Sequence, residues 1–583
     1  MGPWGPLGPA DPAGATGAAG AAGPADAADA AEGPGIVFVV EPGTGEGGLL
    51  IYTSEGSKET PRLHSTMGIP SYFRKIIQAH PGILTSTFEE KPDVLCFDFN
   101  CLIYRCIRAP RMKPWTVDTS EEWETDLLTE VCTTVEEIWA IAGKPATVYL
   151  AVDGVVPMAK IRQQRVRRFK SAWLSSGNSW DTNAITPGTA FMDSLTERLR
   201  SLASRLGWKD AVSGVREEGE GEHKIMRYIR DRYSGGGKTI VVYGLDADLI
   251  LLSMLVAEET RNRLWLLREK QEFGLPSASA SAHPLASQEY SIMQIGALQE
   301  KLYIRGYQSL LNYVALMSLM GNDFLPHSVT HKLAENGHEL VLRELRSMTD
   351  TWQLVSPCGT GRYTINTSVV QDIAKRWSQD EERNISHMIQ KKRQQASRPQ
   401  REGTDEKDSL PLEWNVESVL FEDGPQKVTV MRMFWREIYW QFVHPSPSTS
   451  LKQHACAEYV KGCQWILDYY TGNTVDMTWL YPYWIPPLWS DIASATLVKG
   501  EGGDARQQAP ITPEEPITPE EQLAMVLPLN SWGLVRGPHR RLPIAMPHLW
   551  PKSFTFFSLG RKWLWECEAR IPVLTVERVR SCT

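Results

Sequence analysis

The chain has few of the features that mark secreted, membrane-bound or zinc-finger proteins. Its nine cysteines are scattered, and no two of them form a C-x-x-C pair, so neither a zinc site nor a disulfide framework is expected. No apolar run reaches the roughly 18 residues of a membrane span, and the N-terminus lacks the basic and apolar regions of a secretory signal. We therefore expect an intracellular protein in a reducing compartment. The cytoplasm is favoured over the nucleus, although the sequence does not decide between them.

A strong excess of positive charge is also absent. The 61 basic and 69 acidic side chains leave a formal charge of −8. This balance excludes a basic coat over the whole surface, but it leaves room for a local basic groove. The 583 residues are 42% hydrophobic, which is enough for a substantial core and for up to about four domains.

Several segments have compositions that do not predict regular structure. The first 35 or so residues are almost wholly Ala, Gly and Pro, and we expect them to be disordered. Residues 36–66 carry short apolar runs that could form a hairpin or remain a loose extension. The Ser/Ala-rich stretch at 275–287 reads as an insertion. We divide the chain into an N-terminal extension (1–66), a catalytic domain (67–395), a linker (396–410) and a second region (411–583) with a disordered insertion at about 499–522.

Three apolar runs indicate buried strands. They are VLCFDFN (94–100), TVYLAVDG (147–154) and TIVVYGLDAD (239–248), and helical stretches separate them. An amphipathic helix is expected before them, within residues 67–84. Near-continuous hydrophobic strands that alternate with helices predict an α/β domain with a mostly parallel central sheet flanked by helices.

Acidic residues follow the predicted strands where each one ends. The carboxyl ends of parallel strands meet at one edge of a sheet, where ligands bind in open α/β folds. An E-G-E segment before a helix that begins near His223, and an N-D pair in a loop after an apolar helix, could join them there. The seven candidate metal ligands are Asp98, Asp153, Glu220, Glu222, Asp246, Asp248 and Asp323.

Seven converging carboxylates would repel one another unless cations neutralised them. Mg²⁺ prefers carboxylate and water oxygens, and two such ions could hold the attacking and leaving oxygens of a phosphodiester displacement. A single aspartate at a strand end is more often a helix cap or a turn former. Acids at three strand ends together favour a metal-dependent phosphoester enzyme.

A basic run, AKIRQQRVRRFK (159–170), begins a few residues after Asp153. In a helix, four of its polar side chains fall on neighbouring positions, and together they suit a terminal phosphate. A solvated helix face is the plainer interpretation of a basic run, but the nearby metal ligand favours a phosphate site. The four residues are Lys160, Gln164, Arg167 and Arg168.

The motifs together resemble the XRN-type 5′→3′ exoribonucleases. MGIPSYFRKI, VLCFDFNCLIY, EGEGEHKIM, VYGLDADLILL and GNDFLPH occur in the order of that family, and CQWILDYYTG and WLYPYWIPPLWSD resemble its second conserved region. The resemblance runs from Met67 to nearly the end of the chain. It implies a PIN-like or flap-nuclease-like α/β domain with a second, mixed α+β region wrapped around it.

The resemblance also implies an activity. Members of the family degrade single-stranded RNA processively from a 5′-monophosphate end and release nucleoside 5′-monophosphates, using Mg²⁺ or Mn²⁺. The seven acids would be the catalytic metal ligands, with two ions expected, and the four residues of the basic run would hold the 5′-phosphate. No nucleotide cofactor and no membrane partner are expected, and the family default is a monomer.

Two residues depart from the family pattern. Cys101 replaces a glycine, and Tyr104 stands where a histidine usually stacks on the first base. A tyrosine can also stack on a base, so we expect the protein to be active but to bind the first base differently. A second stacking residue is expected among Trp465, Trp479 and Trp484, and we choose Trp479, although aromatic residues at this density are more often core.

Two other functions stay open. One is a structure-specific DNA flap nuclease of the same superfamily, against which the Trp/Tyr-rich second region and the K-x-x-x-Q-x-x-R-R pattern argue. The other is a catalytically inactive RNA-binding scaffold, against which the presence of all seven acids argues.

Overall fold

The computed structural model describes residue 69 and residues 71–582, apart from 175–178, 270–289, 397–420, 424–428, 498–514, 558, 560 and 562–566. The predicted extension over 1–66, the insertion over 275–287 and the linker beyond residue 396 lie outside the described residues. None of the described helices is both long and apolar enough to cross a membrane.

A seven-stranded sheet forms the centre of the protein. Its strand order is β1-β7-β6-β5-β2-β3-β4, and the five strands from β6 to β4 are parallel, whereas β7 runs antiparallel to both β6 and β1. The prediction of a mostly parallel sheet is confirmed. The strands are β1 (Leu84–Thr85), β2 (Val94–Asp98), β3 (Thr147–Ala151), β4 (Val212–Ser213), β5 (Thr239–Tyr243), β6 (Arg263–Glu269) and β7 (Tyr290–Gln294).

Strands β2 and β5, in the middle of the sheet, are buried along their whole length. Successive side chains of a strand point to opposite faces, so Leu95 and Phe97 pack into one hydrophobic cluster while Val94 and Cys96 pack into another. This explains why the central strands read as continuous apolar runs rather than as alternating ones.

Helices cover both faces of the sheet, as predicted. Helices α2, α3 and α5 pack on one face, and α1, α6, α7 and α9 pack on the other. The helices of this half are α1 (Tyr72–Ala79), α2 (Asn100–Ile107), α3 (Ser120–Ile141), α4 (Met158–Leu174), α5 (Ala190–Leu206), α6 (Gly221–Tyr233), α7 (Asp248–Thr260), α8 (Ile295–Leu302), α9 (Gly306–Leu319) and α10 (His338–Ser347).

The described part of the chain after α10 is mainly helical, whereas the sequence predicted a mixed α+β region. Its described strands form three short hairpins: β8 (Val355–Pro357) with β9 (Tyr363–Ile365), β10 (Phe421–Asp423) with β11 (Thr429–Met431), and β12 (Phe556–Phe557) with β13 (Glu568–Ala569). Its helices are α11 (Thr367–Ser378), α12 (Glu381–Ala396), α13 (Trp435–Gln441), α14 (Thr449–Tyr470), α15 (Trp489–Ser494), α16 (Pro519–Val526), α17 (Leu542–Ala545) and α18 (Val576–Arg580). Helix α14 contributes Cys463 and Ile466 to the same buried cluster as the helices on the sheet.

Helix α16 overlaps the C-terminal end of the disordered insertion that was predicted over about residues 499–522. It begins at Pro519, and Thr518 caps it by accepting a hydrogen bond from the Glu521 amide while the Glu521 carboxylate accepts one from the Thr518 amide. A T-P-E-E segment therefore starts a helix, because its threonine and glutamate form a capping box. The predicted insertion extends too far at its C-terminal end.

Candidate active site

Four predicted acids lie at the carboxyl edge of the sheet. Asp98 is the last residue of β2, and Asp153 follows β3 by two residues. Asp246 follows β5, and Asp248 begins α7. In the sheet, β3 lies on one side of β2 and β5 lies on the other side. The acids therefore occupy the point where the strand order reverses, the usual ligand crevice of such sheets.

The position of Asp153 is set by two neighbours. Asn100 donates from Nδ2 to Asp153 Oδ2 at 2.9 Å, and the Gly221 amide donates to Asp153 Oδ1 at 2.7 Å. A side chain on Gly221 would begin 2.7 Å from Asp98 Oδ1, so only glycine lets α6 start this close to the acids. Sequence reasoning missed Asn100, although its place two residues after Asp98 was an available signal.

Helix α6 brings Glu220 and Glu222 to the same place. The helix starts at Gly221, two residues earlier than predicted, so Glu220 is its N-cap residue and Glu222 lies in its first turn. Ligand atoms of Glu220, Glu222 and His223 lie within 4.8 Å of one another, a spacing that could hold a metal ion. His223 was not among the predicted ligands.

Lys160 joins the acids rather than standing apart from them. Its ammonium lies 2.5 Å from Glu220 Oε2 and 2.7 Å from Asp323 Oδ2, and all three side chains are buried. Burial would lower the pKa of Lys160, but Asp323 and Glu220 outweigh burial and hold that pKa well above its usual value. Asp323 lies in the loop after α9, as predicted. The sequence assigned Lys160 to a phosphate pocket, but here it pairs with two predicted metal ligands.

The acids are strongly perturbed by their surroundings. Burial, followed by the neighbouring Asp153 and Asp246, raises the pKa of Asp98 well above its usual value. Burial raises the pKa of Asp246 to about 7. Burial and nearby carboxylates also hold the pKa values of Glu222 and Asp248 well above their usual range. Such shifts occur where several carboxylates share one site with low access to water.

Three of these acids have buried oxygens without a protein donor. Glu222 Oε2, Asp246 Oδ1 and Asp248 Oδ1 have no hydrogen-bond partner within the described part of the chain. Leaving a buried carboxylate oxygen unpartnered is costly. A hard divalent cation takes oxygen ligands of this kind, so the residues present fit such a cation.

Helix α4 carries the basic run, and its side chains point to different neighbours. Arg167 is half-buried, and its charge offsets part of the rise that burial causes in the pKa of Asp246. Arg168 is buried and donates to Asn183 Oδ1 at 2.8 Å. The side-chain oxygen of Gln164 accepts from Gln522 at 3.5 Å. Lys160 therefore pairs with the acids, whereas Gln164 and Arg168 hydrogen-bond to other segments, and Arg168 is also close enough to Asp153 for their charges to interact.

Part of the same basic run is purely structural. Arg165 is 2% exposed, and its guanidinium donates to the backbone carbonyls of Met525, Leu549 and Pro572. It thereby ties α4 to three places in the C-terminal part of the chain.

The predicted stacking residues are placed differently from one another. Tyr104 is half-buried on α2, and Trp484 is half-buried with Arg162 over its ring at 5.3 Å. Trp479 is only 5% exposed, stacks on Trp465 with 5.4 Å between ring centroids, and donates to Glu458. The structure therefore contradicts Trp479 as an open stacking surface, because its neighbours cover both the ring and the indole nitrogen.

Two tyrosines at the end of α14 also reach the acids. Tyr469 donates to Glu220 Oε1 at 3.1 Å. Burial, followed by the neighbouring Asp248 and Glu222, raises the pKa of Tyr470. Sequence reasoning did not assign these residues a role. The two adjacent tyrosines can be seen in the sequence, but the neighbouring residues do not indicate which distant side chains the tyrosines contact.

The fold and the acidic edge place the protein among PIN-like nuclease domains, and comparison with known proteins agrees. The description "XRN 5'-3' exonuclease N-terminus" matches residues 67–270, and "Xrn1 helical domain" matches residues 368–583. The chain belongs to the XRN family.

Several relatives carry the same printed activity. The chain is 27% identical to 5'-3' exoribonuclease 1 of Homo sapiens over 88% of this chain and 34% of that protein. It is 24% identical to 5'-3' exoribonuclease 2 of Arabidopsis thaliana over 88% of this chain and 66% of that protein. With 5'-3' exoribonuclease 2 of Saccharomyces cerevisiae the identity is 28% over 50% of this chain and 36% of that protein. The matched part spans from about a third to two-thirds of these relatives' own length.

Proposed function

We propose that the chain is a metal-dependent 5′→3′ exoribonuclease that degrades single-stranded RNA from a 5′-monophosphate end. The observation that carries the proposal is the group of seven buried or half-buried carboxylates gathered where the strand order reverses. Three of them have an oxygen with no hydrogen-bond partner among the described residues. Membership of the XRN family supports RNA as the substrate of this site.

The acids would hold Mg²⁺ or Mn²⁺, with two ions proposed. When bound, such ions neutralise charge on the phosphodiester and favour attack by water at phosphorus. Asn100 and Gly221 fix the orientation of Asp153, and Lys160 holds Glu220 and Asp323 together. The proposed ligands are Asp98, Asp153, Glu220, Glu222, Asp246, Asp248 and Asp323.

The basic side chains near the acids would bind the 5′-phosphate of the RNA. Arg167 is close enough to Asp246 for their charges to interact, and Lys160 lies among the acids, so both charges would attract a terminal phosphate bound beside the carboxylates. Gln164 and Arg168 complete the proposed phosphate pocket, and Tyr104 is proposed to stack on the first base. A closed pocket of this kind would exclude a cap or a triphosphate, and stepwise advance of the new end would make degradation processive and release nucleoside 5′-monophosphates.

The first experiment compares one single-stranded RNA with a 5′-monophosphate, a 5′-hydroxyl or a 5′-triphosphate, in buffer with Mg²⁺. Rapid release of mononucleotides is expected from the monophosphate RNA alone. The Asp246→Ala plus Asp248→Ala double variant should lose this activity, whereas Asp350→Ala, at an exposed position, should retain it.

Each other outcome would refute a stated part of the proposal. Equal decay of the three RNAs would remove the phosphate pocket. Preference for a flap DNA of matched sequence would establish the flap-nuclease alternative, and RNA binding without release of nucleotides would establish the scaffold. We also propose that the enzyme is a cytoplasmic monomer, which gel filtration and localisation of a tagged chain would check.

A further inference from the structure

A column of stacked rings connects α14 to the acids. His223 stacks on Tyr469 with 3.7 Å between ring centroids, Tyr469 stacks on Trp465 at 4.9 Å, and Trp465 stacks on Trp479 at 5.4 Å. The interplanar angles are 28–30°. The column thus runs from the first turn of α6 into the second region.

The far end of the column is fixed by hydrogen bonds. Trp465 Nε1 donates to the Asp476 carbonyl at 2.8 Å, and Trp479 Nε1 donates to Glu458 at 3.1 Å. Phe324, the residue after Asp323, packs edge-on against Tyr469 with 5.6 Å between centroids. Tyr469 is therefore held from both ring faces and from one edge, so its hydroxyl has little freedom to move.

That hydroxyl acts on one carboxylate. Tyr469 donates to Glu220 Oε1 at 3.1 Å, while Lys160 lies 2.5 Å from Glu220 Oε2. Both oxygens of Glu220 therefore have a defined partner, one from α4 and one from α14. Tyr470, the next residue, lies beside Asp248 and Glu222. Successive helical residues point in different directions, so the pair reaches separate carboxylates.

We propose that Tyr469 is a positioning residue for the acidic site: its hydroxyl, locked by the ring column, fixes Glu220 in the orientation in which it binds a divalent cation. The inference rests on the proposed function for its biological meaning, but it concerns metal affinity and can be measured without RNA. Under this proposal, α14 of the second region helps to form the cation site, because Tyr469 orients one of the ligands.

The test removes only the hydroxyl. Tyr469→Phe keeps the stacked ring, and Tyr439→Phe is the matched control, because Tyr439 is fully buried in the same region and donates to the Pro486 carbonyl, away from the acids. Binding of Mn²⁺ to the full chain without RNA is followed by electron paramagnetic resonance. Loss of a residue that orients a metal ligand typically weakens affinity by about 10–100-fold, so we expect at least a tenfold rise in the Mn²⁺ dissociation constant for Tyr469→Phe and no change for the control.

Catalysis gives the second readout. RNA decay by Tyr469→Phe should require about tenfold more Mn²⁺ for half-maximal rate and should approach the parent rate at saturating Mn²⁺, with an unchanged melting temperature. Should Tyr469→Phe fail to fold, Trp465→Phe loosens the column one ring away and is expected to shift Mn²⁺ affinity in the same direction.

Unchanged Mn²⁺ affinity in the folded Tyr469→Phe protein would overturn the proposal, as would an equal loss in Tyr439→Phe. Failure of the proposed function is a separate result: the parent would then bind Mn²⁺ but leave monophosphorylated RNA intact, and the Mn²⁺ titration would still decide the role of Tyr469.

Discussion

Replacement of Gly221 by alanine is expected to slow RNA hydrolysis far more than it destabilises the fold. The added methyl carbon would lie 2.7 Å from the Ala151 carbonyl oxygen and from Asp98 Oδ1, and 3.3 Å from Asp153 Oδ1. Ordinary contact begins at 3.4 Å, so the start of α6 must move by about 0.7 Å because the strand carbonyl cannot retreat through a close-packed sheet. Glu220 and Glu222 move with it.

The two consequences differ in size. Overpacking of this kind costs about 1–3 kcal/mol of folding free energy, which a chain with this much core is expected to survive. Misplacement of catalytic groups by about 1 Å can cost about 100-fold in rate. We therefore expect kcat on monophosphorylated RNA to fall between about tenfold and 100-fold, while the far-ultraviolet circular dichroism at 25 °C is unchanged.

Gly296→Ala is the control for this substitution. Gly296 lies in α8, and a methyl group there would meet no atom within 4 Å. Since alanine favours a helix over glycine by about 0.5–1 kcal/mol, this variant should be slightly more stable and fully active. A folded Gly221→Ala protein with the parent kcat at the same Mg²⁺ concentration would refute the packing argument.

Three further predictions concern stability. Burial lowers the pKa of His338 to about 4, so the folded state resists protonation and loses stability as the pH falls from about 6.5 towards 4. At pH 5 the loss is about 2 kcal/mol. Urea unfolding at pH 7.5 and pH 5 should therefore show a smaller loss of unfolding free energy in His338→Gln than in the parent. Equal losses in the two proteins would contradict the prediction. Arg165→Met should lose about 3 kcal/mol or more by the same assay, because three backbone carbonyls, two of them buried, lose their donor. A neutral result would refute its anchoring role. Thr518→Ala should cost about 1 kcal/mol through loss of the capping box, whereas Thr518→Ser should be neutral in thermal melts.

The ends of the buried strands were predictable because they depend on local sequence. Continuous apolar runs can be read directly as strands of a parallel sheet, and acids that directly follow such strands must lie at one edge. Asp98, Asp153 and Asp246 therefore came together as expected. Glu222 was also expected at the site, although the sequence placed the start of its helix two residues too late.

The partners of Lys160 and Glu220 could not be predicted from sequence. Lys160 meets Asp323 across 163 residues, and Glu220 meets Tyr469 across 249 residues. No local pattern specifies pairs so distant, so the basic run was interpreted as one phosphate pocket. In the structure Lys160 pairs with the acids, while Gln164 and Arg168 hydrogen-bond to Gln522 and Asn183, and the local sequence specifies none of these contacts.

The sequence by itself determined the type of sheet, the edge at which the acids gather and the family. Only the tertiary structure decided that Trp479 is buried in a ring column and that Tyr469 presents its hydroxyl to Glu220. The reason is physical: strand and helix patterns arise from interactions within a few residues, whereas the burial of one ring among many depends on which distant helix covers it.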